Sequence, residues 1–198
     1  MLRCPQPHRE EFLVLSTGEM SGRMVRSGLV GCPVCHREYE IADGIVDFAG
    51  RGTGDGGRVA SDATRPASPV PRPDPQTLQA LLDLSGPGGY VVLLGGAVRA
   101  AAGLAALMGG IHFVGVNAPP GSEELPVLSL LRAGSIPLRQ SMARAVVVGA
   151  ELVQPHWLAE AVRVLLRGRR LVTEGEDAEP TGVTRLAVGQ GLWVGEKR

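Results

Sequence analysis

The sequence of 198 residues predicts an α/β fold, in which a small cysteine-bearing module precedes an open, mostly parallel sheet that ends in an antiparallel hairpin. Short apolar runs bounded by glycine alternate with helical patterns after residue 76, which is typical of a sheet covered by helices. Two further runs near the end of the chain are joined by three residues, which indicates a hairpin. All three cysteines lie within the first 35 residues and set the N-terminal part apart.

Composition divides the chain and limits its functions. Residues 50–76 hold five glycines and five prolines with few large apolar side chains, which predicts a linker between a domain at 1–49 and one at 77–198. The 20 basic and 20 acidic residues cancel, so the totals support neither DNA binding nor a polybasic membrane anchor. No basic segment followed by an apolar stretch opens the chain, so we expect a cytoplasmic protein without a membrane association.

The elements of the larger domain follow from hydrophobic periodicity and capping residues. Asp74 before Pro75 is a typical N-cap and first helical residue. An apolar stripe from Trp157 to Leu166 predicts the best-defined helix. The remaining predictions are strands at 90–94, 111–116, 145–149 and 171–173, helices at 97–108 and 122–131, and a hairpin of 184–188 with 192–195.

The cysteines are spaced as metal ligands. Cys32 and Cys35 enclose two residues, the spacing at which two thiolates on one turn bind the same Zn²⁺, and Cys4 is the third candidate ligand. A matching turn would place a cysteine at position 7, which is Pro7. His8 is the preferred fourth ligand, with His36 as a weaker alternative. Because four protein ligands close a zinc site and a 49-residue module has little core, we expect a structural role.

The N-terminal segment resembles a known family on two stretches, LRCP at residues 2–5 and GCPVCHREYEIADGIVDF at residues 31–48. They are similar to the zinc ribbon of the small activator subunit of tRNA and translation-factor methyltransferases. The resemblance implies a zinc-ribbon domain and a protein partner.

The larger domain is similar in the order of its elements to class I S-adenosylmethionine-dependent methyltransferases, and residues 154–172 resemble the type 11 members. The resemblance implies a Rossmann-like methyltransferase sheet whose first strand ends in an acid and a Gly-x-Gly-x-Gly turn. Here the acid is replaced by Leu93, and Ala97 and Arg99 occupy two glycine positions. The candidate cofactor-binding residues that the resemblance leaves are Gly95, Gly96 and Asn117.

The groups available for catalysis are few. Glu151 and His156 follow the fourth predicted strand and are weak candidates, since isolated polar residues in such loops are usually solvated. We therefore expect a non-catalytic, methyltransferase-like protein that acts by binding another macromolecule, in the first place a protein. The alternative is an active but divergent methyltransferase of unknown acceptor. RNA binding is the least supported, because residues 1–49 carry five basic and seven acidic side chains.

Overall fold

A computed structural model describes residues 2–50 and 73–198 of the chain. Most of the linker predicted at 50–76 therefore lies outside the described residues. Within them, no helix is long and apolar enough to cross a membrane.

The described residues form three α-helices and thirteen strands. The helices are α1 (Pro75–Leu82), α2 (Ala101–Leu107) and α3 (Pro155–Val164). The strands are β1 (Val14–Thr17), β2 (Met20–Ser21), β3 (Met24–Val25), β4 (Gly28–Gly31), β5 (Glu38–Ala42), β6 (Ile45–Asp47), β7 (Tyr90–Leu94), β8 (His112–Val116), β9 (Leu128–Arg132), β10 (Ala143–Val148), β11 (Leu165–Glu174), β12 (Val183–Gly189) and β13 (Leu192–Lys197).

Eleven of these strands form one sheet in the order β1-β4-β5-β6-β9-β8-β7-β10-β11-β13-β12, and β2 and β3 form a separate hairpin. The run from β6 to β11 is parallel, and β13 and β12 close the far end as an antiparallel hairpin. The α/β fold class is thereby confirmed: a mostly parallel, Rossmann-like sheet with few helices and a terminal hairpin.

The central strands form where the chain is apolar enough to be buried on both faces. β7 and β10 lie in the middle of the sheet, and four of the five residues of β7 are buried. Helix α1 begins as its cap predicts, because the Asp74 carboxylate accepts hydrogen bonds from the backbone N–H groups of Gln76 and Thr77 at 2.9 and 3.0 Å. Helix α3 buries Trp157, Leu158 and Ala161 of the predicted stripe, whereas Leu165 and Leu166 at the end of the stripe begin strand β11.

The helix predicted at 122–131 is wrong. Residues 122–127 form no helix, and Leu128–Arg132 is the parallel strand β9. The leucines at 125, 128 and 131 have helical spacing, but the mainly apolar segment from 127 to 131 also suits a buried strand, and so short a segment cannot distinguish the two. Pairing with β8 on one side and β6 on the other decides the outcome.

The N-terminal module is joined to the larger sheet through its backbone. Strands β1, β4, β5 and β6 are antiparallel to one another, and β6 then pairs in parallel with β9, with Val46 opposite Leu131. One apolar core continues across this junction, since Tyr39 and Ile41 of the module belong to the same cluster of buried residues as Val114 and Leu131. The four candidate metal ligands and the carboxyl ends of the central strands thus belong to parts of the chain that share one sheet and one core.

Candidate functional site

The four residues proposed as zinc ligands come together in the structure. Cys4 precedes β1, Cys32 and Cys35 follow β4, and His8 lies between them in the chain. One ligand atom from each of the four residues lies within 4.8 Å of every other. His36, the alternative ligand, is not part of this cluster; its backbone has a positive φ of 56° and its side chain is exposed.

The spacing within the cluster fits a tetrahedral ion. Zinc–sulfur bonds of about 2.3 Å and zinc–nitrogen bonds of about 2.0 Å require edges of roughly 3.8 Å between sulfurs and roughly 3.5 Å between sulfur and nitrogen. Cys4 Sγ lies 3.7 Å from Cys35 Sγ, and Cys32 Sγ lies 3.4 Å from His8 Nε2. Two of the six edges therefore have the lengths that a zinc site of three sulfurs and one nitrogen requires, and all six are at most 4.8 Å.

Neighbouring groups orient two of these side chains. His8 Nδ1 lies 2.7 Å from the carbonyl oxygen of Arg9, so an N–H at Nδ1 donates there and leaves Nε2 facing the thiols. The hydroxyl of Tyr39 lies 3.1 Å from Cys4 Sγ. Tyr39 was not predicted as part of the site; its place in the tyrosine-containing stretch after the Cys-x-x-Cys was the available indication.

The pKa values of the Cys4 and Cys32 thiols are shifted in opposite directions. Burial raises the pKa of Cys4 above its ordinary value. Burial acts on Cys32 in the same direction, but the backbone N–H groups of Cys35 and Val34 favour its thiolate and lower the pKa to about 7. Burial also raises the pKa of Tyr39, so this residue stays a neutral phenol that can donate to a thiolate.

A second candidate site is the crevice between the carboxyl ends of β7 and β10. The chain runs outward from β7 through β8 to β9 on one side and through β10 to β11 on the other, so β7 and β10 meet where the strand order reverses. Open α/β sheets bind ligands at such a switch point. The residues facing it are Gly95 and Gly96 after β7, and Gly149 and Glu151 after β10.

Hydrogen bonds within the chain link the two sides of this crevice. The Glu151 carboxylate accepts a hydrogen bond from the backbone N–H of Gly96, the donor that an anionic or polar ligand would otherwise use. Gly149 donates from its N–H to the carbonyl of Leu94 at 3.0 Å and so ties the two loops together. A methyl group added at Gly149 would lie 2.9 Å from both Gly96 N and Leu94 O. Gly95 is buried with a φ of +58°, and a methyl group there would collide with Glu151.

Asn117, the third candidate cofactor-binding residue, is also held by hydrogen bonds within the chain. Asn117 follows β8; its Nδ2 donates to the carbonyl of Ala133 at 2.8 Å, and its Oδ1 accepts from the N–H of Ala133 at 3.0 Å. Both ends of the amide are therefore used to hold the loop after β9. Leu93 is fully buried in the core, and Arg99 is exposed.

The two weak catalytic candidates do not form a constellation. Glu151 is engaged with Gly96, while a ring nitrogen of His156 lies 2.8 Å from the carbonyl oxygen of Gly134 and its ring packs edge-on against Trp157. No hydrogen bond between Glu151 and His156 exists in the described part of the chain. The geometry offers neither a paired nucleophile and base nor an oriented acid.

A polar network that the sequence did not predict ties the N-terminus to the larger domain. Glu160 on α3 accepts from the backbone N–H of Ile136 at 2.9 Å and pairs with Arg163 at 2.8 Å. Arg163 also donates to the carbonyls of Ile136 and Leu138 at 2.7 and 2.8 Å. Arg3 lies 3.9 Å from Glu160, next to the bridge between residues 2 and 138. The network holds the loop between β9 and β10, where no helix is formed.

The basic residues near α3 serve the fold. Arg163 belongs to the network just described, Arg170 pairs with Asp83 at 2.7 Å, and Arg167 donates to the carbonyl of Arg198 at 3.0 Å. Arg163, Arg167 and Arg170 are thus each bound to another group of the chain.

Comparisons with known proteins give fold-level likenesses only. No protein-family model matches the chain, and no curated protein matches it. Among solved structures, the antibiotic-resistance methyltransferase Kmr has a TM-score of 0.44 at 15% identity, over 64% of this chain and 93% of that one. Geranyl diphosphate C-methyltransferase from Streptomyces coelicolor A3(2) has a TM-score of 0.42 at 16% identity, over 50% and 41% of the two chains.

A chain from the complex between the Haloferax volcanii Trm112 methyltransferase activator and a methyltransferase has a TM-score of 0.40 at 20% identity, over 50% of each chain. This protein thus spans less than half the length of the geranyl diphosphate enzyme and half that of the archaeal chain. The structures it resembles are class I S-adenosylmethionine-dependent methyltransferases. At these scores the likeness carries no argument about activity.

Proposed function

We propose that this chain is a non-catalytic protein with a methyltransferase-like sheet, stabilised by a structural zinc ion and acting as the partner of another protein. The boundaries proposed for its parts are a zinc ribbon at 1–49, a linker at 50–76 and a methyltransferase-like domain at 77–198. Cysteine ligands suit a reducing compartment, which supports a cytoplasmic location.

One observation carries the non-catalytic part of the proposal. The Glu151 carboxylate accepts a hydrogen bond from the backbone N–H of Gly96 at the switch point, so a side chain of the protein takes up one donor that a ligand would use. A cofactor that uses this donor would have to displace a charge-assisted hydrogen bond, which in this exposed position contributes about 0.5–1.5 kcal/mol. Leu93 supplies no carboxylate in compensation, and Asn117 would have to give up both hydrogen bonds to Ala133.

The metal part rests on the donor set. Cys4, His8, Cys32 and Cys35 would hold a zinc ion with four protein ligands, which leaves no coordination position for water or substrate. The ion would supply folding free energy to strands that have little core of their own, since β1 is exposed along its whole length. Its role would be to shape the module that adds β6 to the edge of β9.

The partner is proposed to be a protein rather than a nucleic acid. The chain has no net charge and the module is slightly acidic, so neither offers the electrostatic attraction on which nucleic-acid binding depends. The ribbon resemblance implies a partnership between proteins.

Calorimetric titration of the zinc-loaded full chain with S-adenosylmethionine tests the proposal. We expect no heat of binding up to about 1 mM ligand, because the crevice is occupied. The Glu151→Ala variant removes the occupying carboxylate, and Glu123→Gln, an exposed acid in the loop between β8 and β9, is the matched control. Micromolar binding by the unaltered chain would overturn the proposal.

The alternative function is an active but divergent methyltransferase. Gly95 keeps the positive φ of a glycine turn. Glu151 is exposed, so its side chain has room to move away from Gly96. On this hypothesis Gly95, Gly96 and Asn117 surround S-adenosylmethionine, and Glu151 or His156 lies near the acceptor. Tight binding in the titration above, without any substitution, is the result that favours it.

A further inference from the structure

A cavity of about 320 Å³ lies between the N-terminal module and the sheet. Its walls come from the N-terminal segment that leads into β1, from the β2–β3 hairpin, and from strands β4, β5, β6, β8 and β9 of the sheet. It shares no lining residue with the Cys/His cluster or with the crevice at the switch point. The size is within the range of small-molecule sites, which begins at about 300 Å³.

The lining is apolar with a few polar groups. Phe12, Leu15, Val25, Val114 and Leu130 are typical of its walls. Phe12 and Leu15, which both line the cavity, are 53% and 52% exposed. Water therefore contacts an apolar surface that a ligand with an apolar body would cover.

The polar groups of the cavity are cationic or neutral. Arg23 is the one charged residue among those that line the cavity, and no carboxylate lines it. Arg23 forms no ion pair within residues 2–50 and 73–198, whereas the nearby Arg26 is paired with Glu124. His112 Nε2 lies 2.9 Å from Ser129 Oγ, and burial lowers the pKa of His112, so this pair is neutral at pH 7.

From this complementarity we propose that the cavity binds a small apolar carboxylate, an aliphatic or aromatic acid. The hydrocarbon part contacts the walls formed by the module and by β8 and β9. The carboxylate pairs with the guanidinium of Arg23, whose donors are available for it. The His112–Ser129 pair supplies a second polar contact. The site is separate from the proposed function, so either can fail without the other.

The test is a calorimetric titration of the zinc-loaded full chain with octanoate and with 1-octanol, which share a chain length and differ in charge. We expect saturable binding of octanoate, weakened about threefold by Arg23→Gln, because Arg23 is exposed and water screens its ion pair. Binding of 1-octanol should be weaker and indifferent to this substitution. Arg185→Gln, an exposed arginine on β12, is the matched control and should leave octanoate binding unchanged.

A second variant tests the apolar wall. Leu15→Gln keeps the size of an exposed side chain but makes it polar, and should weaken both ligands by a similar factor. Absence of saturable octanoate binding to the unaltered chain would overturn the proposal. So would equal affinity for octanoate and octanol that Arg23→Gln does not change, or an equal loss in Arg185→Gln.

Discussion

The Cys/His cluster and the switch-point crevice use polar groups in opposite ways. In the cluster, Cys4, His8, Cys32 and Cys35 direct their ligand atoms at one another, and neighbours such as the Arg9 carbonyl hold the imidazole in place. In the crevice, the polar groups are satisfied by the chain, and Glu151 closes the loop. Thiols and an imidazole that converge on one point are typical of a metal site, whereas polar groups that are paired within the chain are typical of a structural role.

The largest expected effect is the removal of a metal ligand. Cys32→Ala should abolish stoichiometric zinc binding and unfold the N-terminal module, since structural zinc contributes about 10–16 kcal/mol of apparent binding free energy in small zinc-dependent folds. The measurement is zinc content after gel filtration, with far-ultraviolet circular dichroism to follow the strands. His36→Ala should keep one zinc per chain; an equal loss in this control would contradict the assignment of the ligands.

The next effect concerns the polar network of Glu160, Arg163 and Arg3, which ties the N-terminus to the larger domain. Glu160→Gln should lower the free energy of unfolding at pH 7 by about 2 kcal/mol, because Arg163 loses its charged partner in a partly buried site. Burial raises the pKa of Glu160, but Arg163 and the Ile136 N–H outweigh it and hold the pKa below its usual value.

The sign of the pH dependence follows from that lowered pKa. The carboxylate contributes its stability fully above the unfolded-state pKa, about 4.3, and loses it as the pH falls through the lower folded-state value. Urea unfolding of the two proteins at pH 7 and at pH 3 should therefore show a difference that shrinks in acid. A difference independent of pH would mean that the charge of Glu160 is irrelevant.

A smaller effect is expected at Asn117. Asn117→Asp replaces the Nδ2 donor by a carboxylate oxygen facing the Ala133 carbonyl, and should cost about 1–2 kcal/mol of unfolding free energy. The same substitution places an acid at the end of β8, yet should create no affinity for S-adenosylmethionine. Thermal denaturation and calorimetry measure the two outcomes. A variant that is as stable as the parent and binds the cofactor would show that Asn117 has no structural role.

The smallest effect is the coupling between Gly95 and Glu151. Gly95→Ala places a side chain at a positive φ and against the Glu151 carboxylate, so it should destabilise the chain, and part of that cost should disappear in the Glu151→Ala background. A double-mutant cycle should give a coupling of about 1 kcal/mol. Gly134→Ala, where a methyl group would meet nothing within 4 Å, is the control with little expected effect. Strict additivity would place Glu151 outside the crevice.

The sequence predicted the elements of the larger domain because their patterns are local. The buried strand at 90–94 was predicted with the bounds that the structure has, and the stripe of α3 needed only helical spacing. The helix predicted at 122–131 was wrong because an apolar run of five residues has no periodicity that separates strand from helix.

Long-range pairing was the part that could not be predicted. The parallel contact between β6 and β9 joins residues more than 80 positions apart, and no local pattern specifies it. The same holds for Glu151, whose side chain is an ordinary loop acid in sequence and reaches Gly96 only because β7 and β10 are neighbours. The convergence of the cysteines with His8, by contrast, could be predicted, because the two-residue spacing of Cys32 and Cys35 is typical of zinc ligands.

The hydrogen bond between the Gly96 N–H and the Glu151 carboxylate can be followed by nuclear magnetic resonance. In protein labelled with ¹⁵N, the amide resonance of Gly96 reports the hydrogen bond from its N–H to Glu151, and Glu151→Ala identifies the shift that this bond causes. Addition of about 1 mM S-adenosylmethionine to the unaltered chain should leave the Gly96 resonance where it is. A saturable displacement of that resonance at micromolar ligand would show that the crevice accepts the cofactor and that the protein is not closed to it.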